Sequence, residues 1–224
     1  MKKMKKFATH AREPFFGIAK DLISKGDKIL DIGAGNGNFA DFCKNEEIYL
    51  LDGNQESIDH LKTRFKNVTH GNLPTLPYDN DFFDLIHMSH VIEHLHPREV
   101  YDTIKEMERC CKTGGALVIS APLLWDGFYD DLSHVKPYNP FIFQKYLCAG
   151  SHSELTREKI SELFVVERLQ YRFRERVFFY GIKKSKKLTH KILYRFYKFL
   201  QSKGITHYQK TGYTIVLRKK AKVN

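Results

Sequence analysis

Residues 29–40 have the sequence ILDIGAGNGNFA, and this segment decides the fold of the chain. Ile29–Ile32 is mostly apolar, which is typical of a buried parallel strand. Three glycines at alternate positions follow, and a helical pattern begins near Phe39. Glycines between a strand and a helix let a ligand approach the backbone, and the first amide groups of the helix can donate hydrogen bonds to anionic groups. The segment therefore predicts a ligand-binding turn.

An acidic residue follows the next apolar run, Ile48–Leu51. This residue, Asp52, stands at the end of a second predicted strand, where a carboxylate can bind the hydroxyl groups of a ribose. The glycine spacing is G-x-G-x-G, which differs from the G-x-G-x-x-G pattern of dinucleotide-binding proteins. A glycine-rich turn in another nucleotide-binding α/β protein, including an NAD-linked one, is the alternative.

Residues 29–40 resemble motif I of class I S-adenosylmethionine-dependent methyltransferases, and Asp52 then corresponds to the acid of motif II. Residues 71–86, GNLPTLPYDNDFFDLI, are similar to the acidic loop and fourth strand of the same family. Asn72 stands where the family commonly has an aspartate, and an amide oxygen can accept the same hydrogen bond from the adenine amino group. The resemblance covers about residues 29–170 and the last strand.

The resemblance implies S-adenosyl-L-methionine as the cofactor and assigns residues to its parts. We expect Asp31, Gly33, Gly35 and Gly37 around the methionine moiety. Asp52 is expected at the ribose, and Asn72 and Leu73 are expected at the adenine. Met88 and Ser89 are expected at the methyl-donor end.

Predicted strands alternate with predicted helices, which indicates a doubly wound, Rossmann-like α/β sheet. The family resemblance implies seven strands with an antiparallel C-terminal hairpin. We expect a single methyltransferase domain over residues 1–224, with two basic additions. These are a mobile N-terminal arm at residues 1–13 and a helical insert at residues 172–211, between strands predicted at 164–169 and 213–217.

Residues 87–96, HMSHVIEHLH, follow the fourth predicted strand and lack the Asn/Asp-Pro-Pro-Tyr tetrad of many amino-directed methyltransferases. This argues against adenine in DNA or glutamine in protein as the acceptor. His90–His94 also matches H-x-x-E-H, a zinc-peptidase pattern. Because that site needs a third ligand and a different fold around it, we expect no metal and favour a packing role for His94 behind the cofactor loop.

The loop after the fifth predicted strand carries the best candidates for catalysis. Its Asp-x-x-His-Val-Lys-Pro-Tyr pattern, residues 131–138, resembles a bacterial subgroup associated with sugar and surface-glycan methylation. An imidazole titrates near neutral pH, so His134 can act as general base toward an acceptor hydroxyl, with Asp131 or Asp130 orienting it. The alternative is that Asp131 and His134 only brace the loop.

The formal net charge is +11, so the surface should attract anions such as nucleic acid, phosphorylated substrates or an acidic membrane. Lys187, Lys191, Arg195 and Lys198 recur at helical spacing beside an apolar row, and this pattern is found in helices that lie on membranes. The favoured interpretation is a lid helix whose apolar row packs on the domain, but an exposed row would favour a lipid-linked substrate.

The four cysteines form no disulfide or zinc pattern, and no 18-residue apolar run is present. We therefore expect reduced thiols, a cytoplasmic location and, through the basic insert, peripheral contact with a membrane. The leading function is O-methylation of a sugar-containing or lipid-linked small substrate. The alternatives are an RNA methyltransferase and a non-catalytic S-adenosylmethionine-binding partner or regulatory subunit.

Overall fold

A seven-stranded mixed sheet organises the computed structural model, which describes residues 6–150, 155–175, 187–202 and 208–221. The strand order is β3-β2-β1-β4-β5-β7-β6, and β1 to β5 are parallel while β7 and β6 form an antiparallel end. This confirms the predicted doubly wound sheet with its C-terminal hairpin. The strands are β1 (Ile29–Ile32), β2 (Ile48–Asp52), β3 (Asn67–His70), β4 (Phe83–Ser89), β5 (Cys111–Pro122), β6 (Phe164–Glu175) and β7 (Tyr208–Lys219).

Helices pack on the sheet and begin at recognisable signals. A proline and the acidic Glu13 stand in the first turn of α1, and Asn54 accepts a hydrogen bond from the Ser57 amide at the start of α3. Glu99 closes the start of α4 by accepting from the His96 amide at 2.7 Å. The helices are α1 (Glu13–Lys20), α2 (Asn38–Cys43), α3 (Gln55–Lys62), α4 (Pro97–Cys110), α5 (Phe141–Leu147) and α6 (Leu188–Ser202).

Two hydrophobic clusters cover the two faces of the sheet, and successive residues of a strand alternate between them. In β4, Ile86 and Met88 join the cluster on the α4 face, whereas Leu85 joins the cluster on the α1 and α2 face. The next residue on the Leu85 face, His87, is buried against Phe39. The alternation therefore directs His87 toward the helices that surround the glycine turn.

The N-terminal segment is part of the fold from Phe7 onward, which corrects the prediction of a mobile arm. Phe7 is 1% exposed and its ring lies 5.4 Å from that of Phe15. Its carbonyl accepts a hydrogen bond from the Phe173 amide at 2.9 Å. An aromatic side chain buried among others is worth enough to order a short segment. Residues 1–5 of the predicted arm lie outside the described residues.

The predicted insert at residues 172–211 is shorter than expected, because both of its ends belong to the sheet. Strand β6 continues to Glu175 and β7 begins at Tyr208. Residues 171–175 alternate arginine with aromatic residues or glutamate, a period of two that suits a strand. The connection is thus limited to residues 176–207, of which the structure describes α6. Within the described ranges, every helix is too short or too polar to cross a bilayer.

Candidate active site

A cavity of about 290 Å³ opens at the carboxyl ends of β1 and β4, the edge where open α/β sheets bind ligands. It brings together four residues that the sequence predicts for cofactor binding and seven others. The lining residues are Arg12, Phe16, Asp31, Gly33, Ala34, Gly35, Asn36, Asn38, Phe39, His87 and Ser89.

The turn after β1 has a shape that only glycine permits at its first position. Gly33 has a φ of 70°, and a Cβ placed on it would lie 2.3 Å from Cγ2 of Val91. The amides of Gly33 and Ala34 donate to the Leu51 carbonyl at 2.8 and 3.2 Å, which ties the turn to β2. Gly37 does not line the cavity, and a Cβ there would meet Leu61 and Phe65 at 2.9 Å.

Asp52 lies beside this turn, as the sequence predicts for a residue that binds ribose. Its Oδ2 accepts the Gly35 amide and its Oδ1 accepts the Asn54 amide, both at 2.8 Å. A carboxylate has about four acceptor positions, so lone pairs are left for two ribose hydroxyls. The side chain of Asn72 lies beside Gly53, the residue that follows Asp52. Its Oδ1 is 2.5 Å from the position that a Cβ on Gly53 would occupy. Leu73 packs against the core.

Strand alternation separates the two residues predicted at the methyl-donor end. Ser89 lines the cavity, but Met88 is 1% exposed and packs into the opposite face of the sheet. The residue that accompanies Ser89 is His87, whose Nδ1 lies 2.7 Å from Oδ1 of Asp31. Its ring stacks on Phe39 with 3.7 Å between centroids. The side chain of Met88 therefore does not line the cavity, whereas that of His87 does, as period-two counting back from Ser89 could have shown.

The chain matches the family model described as "Methyltransferase domain" over residues 2–164, most of its length. The match starts before the glycine turn and continues to the first residue of β6. The chain is an S-adenosylmethionine-dependent methyltransferase.

Its relatives and structural neighbours carry the same chemistry in their names. The methyltransferase is 28% identical over 177 residues to Demethylmenaquinone methyltransferase of Alkalihalophilus pseudofirmus, covering 73% of this chain and 72% of that protein. It is 27% identical over 115 residues to a Ubiquinone/menaquinone biosynthesis C-methyltransferase of Neisseria meningitidis, covering 46% of each. A SAM dependent methyltransferase structure from Archaeoglobus fulgidus superimposes with a TM-score of 0.61 at 22% identity, covering 97% of this chain and 98% of that one.

In the loop after β5 of the methyltransferase, the backbone orients His134. Its Nδ1 donates to the Phe128 carbonyl at 2.6 Å, so in the neutral ring Nε2 carries the lone pair. Asp131 does not hold the ring in the predicted way, because its Oδ2 is 3.9 Å from Nε2 and its Oδ1 accepts both the amide and the hydroxyl of Ser133. These hydrogen bonds hold the pKa of Asp131 below its usual range. The catalytic role of both residues stays a prediction.

The H-x-x-E-H pattern does not form the peptidase arrangement in this methyltransferase. His90 has a φ of 58° and the 3₁₀ turn Ile92–His94 follows it, so the histidines do not share a face of an α-helix. Nδ1 of His90 lies 3.0 Å from Oε1 of Glu93, and Arg172 donates to its Nε2 at 3.2 Å. Burial lowers the pKa of His90, which keeps the ring neutral. His90 therefore has no nitrogen left for a metal.

His94 and Glu93 point instead to the loop that carries His134. Nδ1 of His94 donates to the Ser133 carbonyl at 3.1 Å, and the rings of His94 and His134 have centroids 5.0 Å apart. The Val135 amide donates to the Glu93 carbonyl at 2.8 Å. Two segments from different parts of the chain thus meet at the carboxyl edge of the sheet, and His94, which is exposed, contacts the loop that carries His134.

Proposed function

We propose that this methyltransferase transfers a methyl group from S-adenosylmethionine to a hydroxyl group of a lipid-linked acceptor, which it meets at an anionic membrane surface. The observation that carries this proposal is the exposed apolar row of α6. Leu188, Ile192, Phe196 and Phe199 are 72%, 60%, 59% and 55% exposed. They stand at i, i+4, i+8 and i+11, so they share one face of the helix. The favoured expectation that this row packs on the domain is therefore corrected.

Basic side chains lie beside this row at the same spacing, and they make an anionic membrane the best match. Lys191 and Arg195 are exposed, as are the flanking Lys187 and Lys198. Each basic residue near an anionic bilayer contributes about 1 kcal/mol, so four of them give up to about 4 kcal/mol, or about a thousandfold in partitioning. A helix with one apolar and one basic face is suited to lie in the plane of a bilayer.

The position of α6 relative to the sheet supports the same proposal. Pro122, the last residue of β5, pairs with Gly212, and β6 and β7 continue past this point. The connection that contains α6 therefore leaves the sheet at its carboxyl edge, where the cofactor cavity opens. Tyr197 of α6 is buried, and the Glu175 carboxylate at the end of β6 adds to the rise in its pKa that burial causes. A membrane held by α6 would face the same edge of the sheet as the cofactor cavity.

The chemistry requires little from the protein beyond positioning and removal of one proton. The sulfonium activates the methyl group, and the acceptor oxygen must lie in line with it. The proton of the hydroxyl leaves at the meeting point of Glu93, His94 and His134. The sugar-containing acceptor predicted from the loop pattern gains no support from the relatives, whereas the lipid-linked acceptor is favoured by α6.

A second candidate is transfer to a carbon of a quinone-type ring. The relative from Alkalihalophilus pseudofirmus, whose name specifies demethylmenaquinone, matches over most of both chains and favours it. The ¹³C chemical shift of the transferred methyl group decides between the two, because a methyl on oxygen and a methyl on a ring carbon resonate in separate regions. An O-methyl signal supports the proposal, and a C-methyl signal replaces it with the second candidate.

The membrane step is tested by cosedimentation with phosphatidylcholine vesicles, with and without phosphatidylglycerol. The native protein should bind the anionic vesicles, and binding should weaken as salt screens the charges. Phe196→Glu should weaken binding more than tenfold, because burying a phenylalanine side chain is worth about 2 kcal/mol. Val166→Glu is the matched control, since Val166 is exposed at the opposite end of β6. Equal binding of native protein and Phe196→Glu would refute the membrane contact.

A further inference from the structure

Three side chains outside the cofactor cavity form a compact set of potential metal ligands. Glu93, His94 and His134 each offer one ligand atom, and the three atoms lie within 4.8 Å of one another. Two imidazoles and one carboxylate are a donor set that divalent transition metals use, often with open positions for water or substrate. We propose that Glu93, His94 and His134 bind a divalent transition-metal ion such as Zn²⁺ or Mn²⁺ beside the acceptor.

The backbone fixes both histidines in the form that binds a metal. A carbonyl oxygen only accepts, so the contacts of His94 with Ser133 and of His134 with Phe128 require a proton on Nδ1 in each ring. Nε2 then carries the lone pair in both neutral rings. A metal-binding histidine almost always donates its other ring N–H to a backbone carbonyl or a carboxylate in this way. The hydrogen bonds that orient metal-binding imidazoles are thus in place.

Glu93 supplies an independent observation. It is 1% exposed, and its Oε2 has no hydrogen-bond partner among the described residues. Nε2 of His90 accepts a hydrogen bond from Arg172, so Nδ1 of the neutral ring carries the proton. This Nδ1 donates to Oε1 of Glu93 and holds that oxygen in place. A buried carboxylate oxygen without a partner is costly, and a bound cation would remove that cost. The carboxylate is positioned from one side and left without a partner on the other.

The two segments that carry the ligands are joined by more than the side chains. The Val135 and Lys136 amides donate to the Glu93 carbonyl at 2.8 and 3.3 Å. This holds the loop after β5 against the turn Ile92–His94, so the ligand atoms are kept together by backbone contacts. Asp131 adds a partly exposed carboxylate 3.9 Å from Nε2 of His134, which increases the attraction of the site for a cation.

The chemical role of the ion rests on the proposed function. An acceptor hydroxyl at an open position of the ion becomes more acidic, because a bound cation stabilises the alkoxide. The O–H bond then breaks with its proton passing to water, the O–CH₃ bond forms as the S–CH₃ bond breaks, and S-adenosylhomocysteine leaves. His134 acts here as a ligand and not as the direct base expected from the sequence.

The site is tested first by metal binding alone, which needs no acceptor. Chelator-treated protein is titrated with Co²⁺, whose visible absorption reports nitrogen and oxygen ligands, and with Zn²⁺ by calorimetry. We expect one ion per chain, and at least about tenfold weaker binding in His94→Gln, His134→Gln and Glu93→Gln. His10→Gln removes an exposed histidine elsewhere and should bind like the native protein. Circular dichroism and S-adenosylmethionine binding show which variants are folded.

The outcomes separate the metal site from the proposed function. Failure of the native protein to bind one ion, or equal binding by folded His94→Gln and His134→Gln, overturns the metal site and leaves the membrane and methyl-transfer experiments untouched. Stoichiometric binding that is lost in those variants supports the site even if no lipid acceptor is methylated. If lipid methylation occurs at the same rate with and without chelator, the ion has no part in the reaction, and the catalytic part of the proposal is refuted.

Discussion

Replacing Gly33 with alanine tests whether the cofactor turn is specified by its packing on Val91. The left-handed φ of 70° costs a residue with a Cβ about 1–2 kcal/mol. The new methyl group would lie 2.3 Å from Cγ2 of Val91, and forcing an extra carbon into a packed site costs about 1–3 kcal/mol more. We therefore expect Gly33→Ala to lower the free energy of unfolding by about 2–5 kcal/mol.

Two variants isolate the contact from the backbone strain. Gly26 has a φ of 88°, and a Cβ there would meet nothing within 4 Å. Gly26→Ala should therefore cost only the strain, about 1–2 kcal/mol. Adding Val91→Ala to Gly33→Ala removes the colliding methyl group and should recover stability, with a coupling energy of about 0.5–3 kcal/mol between the two sites.

Urea denaturation of the native protein and these variants measures the stability changes, and calorimetry measures S-adenosylmethionine binding. Gly33→Ala should also weaken cofactor binding, because the turn that lines the cavity must move away from Val91. The reasoning is refuted if Gly33→Ala is no more destabilising than Gly26→Ala, or if Val91→Ala adds its own destabilisation without recovering any.

Three further predictions concern the cofactor cavity and the core. Asp52→Asn should weaken S-adenosylmethionine binding by about 1.5–3 kcal/mol, because it removes a charged hydrogen-bond acceptor; unchanged affinity in calorimetry would exclude a cofactor role. His87→Leu leaves the buried Asp31 carboxylate without its imidazole partner and should lower the free energy of unfolding, measured by urea denaturation, by about 3 kcal/mol. Adding Asp31→Asn to the same chain should restore part of this stability, because it removes the unpaired charge. Burial raises the pKa of Cys43 and Cys111 to about 12, so at pH 8 these thiols stay protonated and should react with a disulfide reagent only after unfolding; rapid labelling of the native protein would contradict their burial.

The fold and the cofactor turn were predictable because they depend on local patterns. Apolar runs, alternate glycines and an acid at the end of a strand are contiguous in sequence, and each has one favourable structural interpretation. Asp52 and Gly35 are in contact in the structure, and the sequence places both at the edge of the sheet. The position of Ser89 at this edge was predictable in the same way, because Ser89 follows the apolar run of the fourth strand.

The features that were missed depend on contacts between distant segments. Met88 and His87 occupy opposite faces of β4, and although a period of two places His87 on the same face as Ser89, it does not reveal that Phe39 stacks on His87. Phe7 is held by Phe15 and β6, and no local signal predicts this contact. Two interpretations of the apolar row on α6 were open. Helical spacing shows that one face of a helix is apolar, but it does not show whether another surface covers that face.

The proposed metal site of Glu93, His94 and His134 depends even more strongly on contacts between distant segments. Residues 90–94 match a zinc-peptidase motif that pairs His90 with His94, and we expected no metal there because the third ligand and the fold of such a site were missing. The structure turns His90 toward Arg172 and brings His134 in from the loop after β5. A tertiary contact thus replaced one ligand of a local pattern with another, and only the fold could supply that residue.

Transfer of an isotopically labelled methyl group from S-adenosylmethionine into fractions of a cell extract tests the central claim most directly. The purified protein is incubated with separated lipid, RNA, protein and small-molecule fractions from its own source, and each is counted. We expect label in the lipid fraction, and less of it when Phe196→Glu replaces the native protein and the lipids are in anionic vesicles. Label confined to RNA, or to water-soluble molecules regardless of α6, would contradict a lipid-linked acceptor.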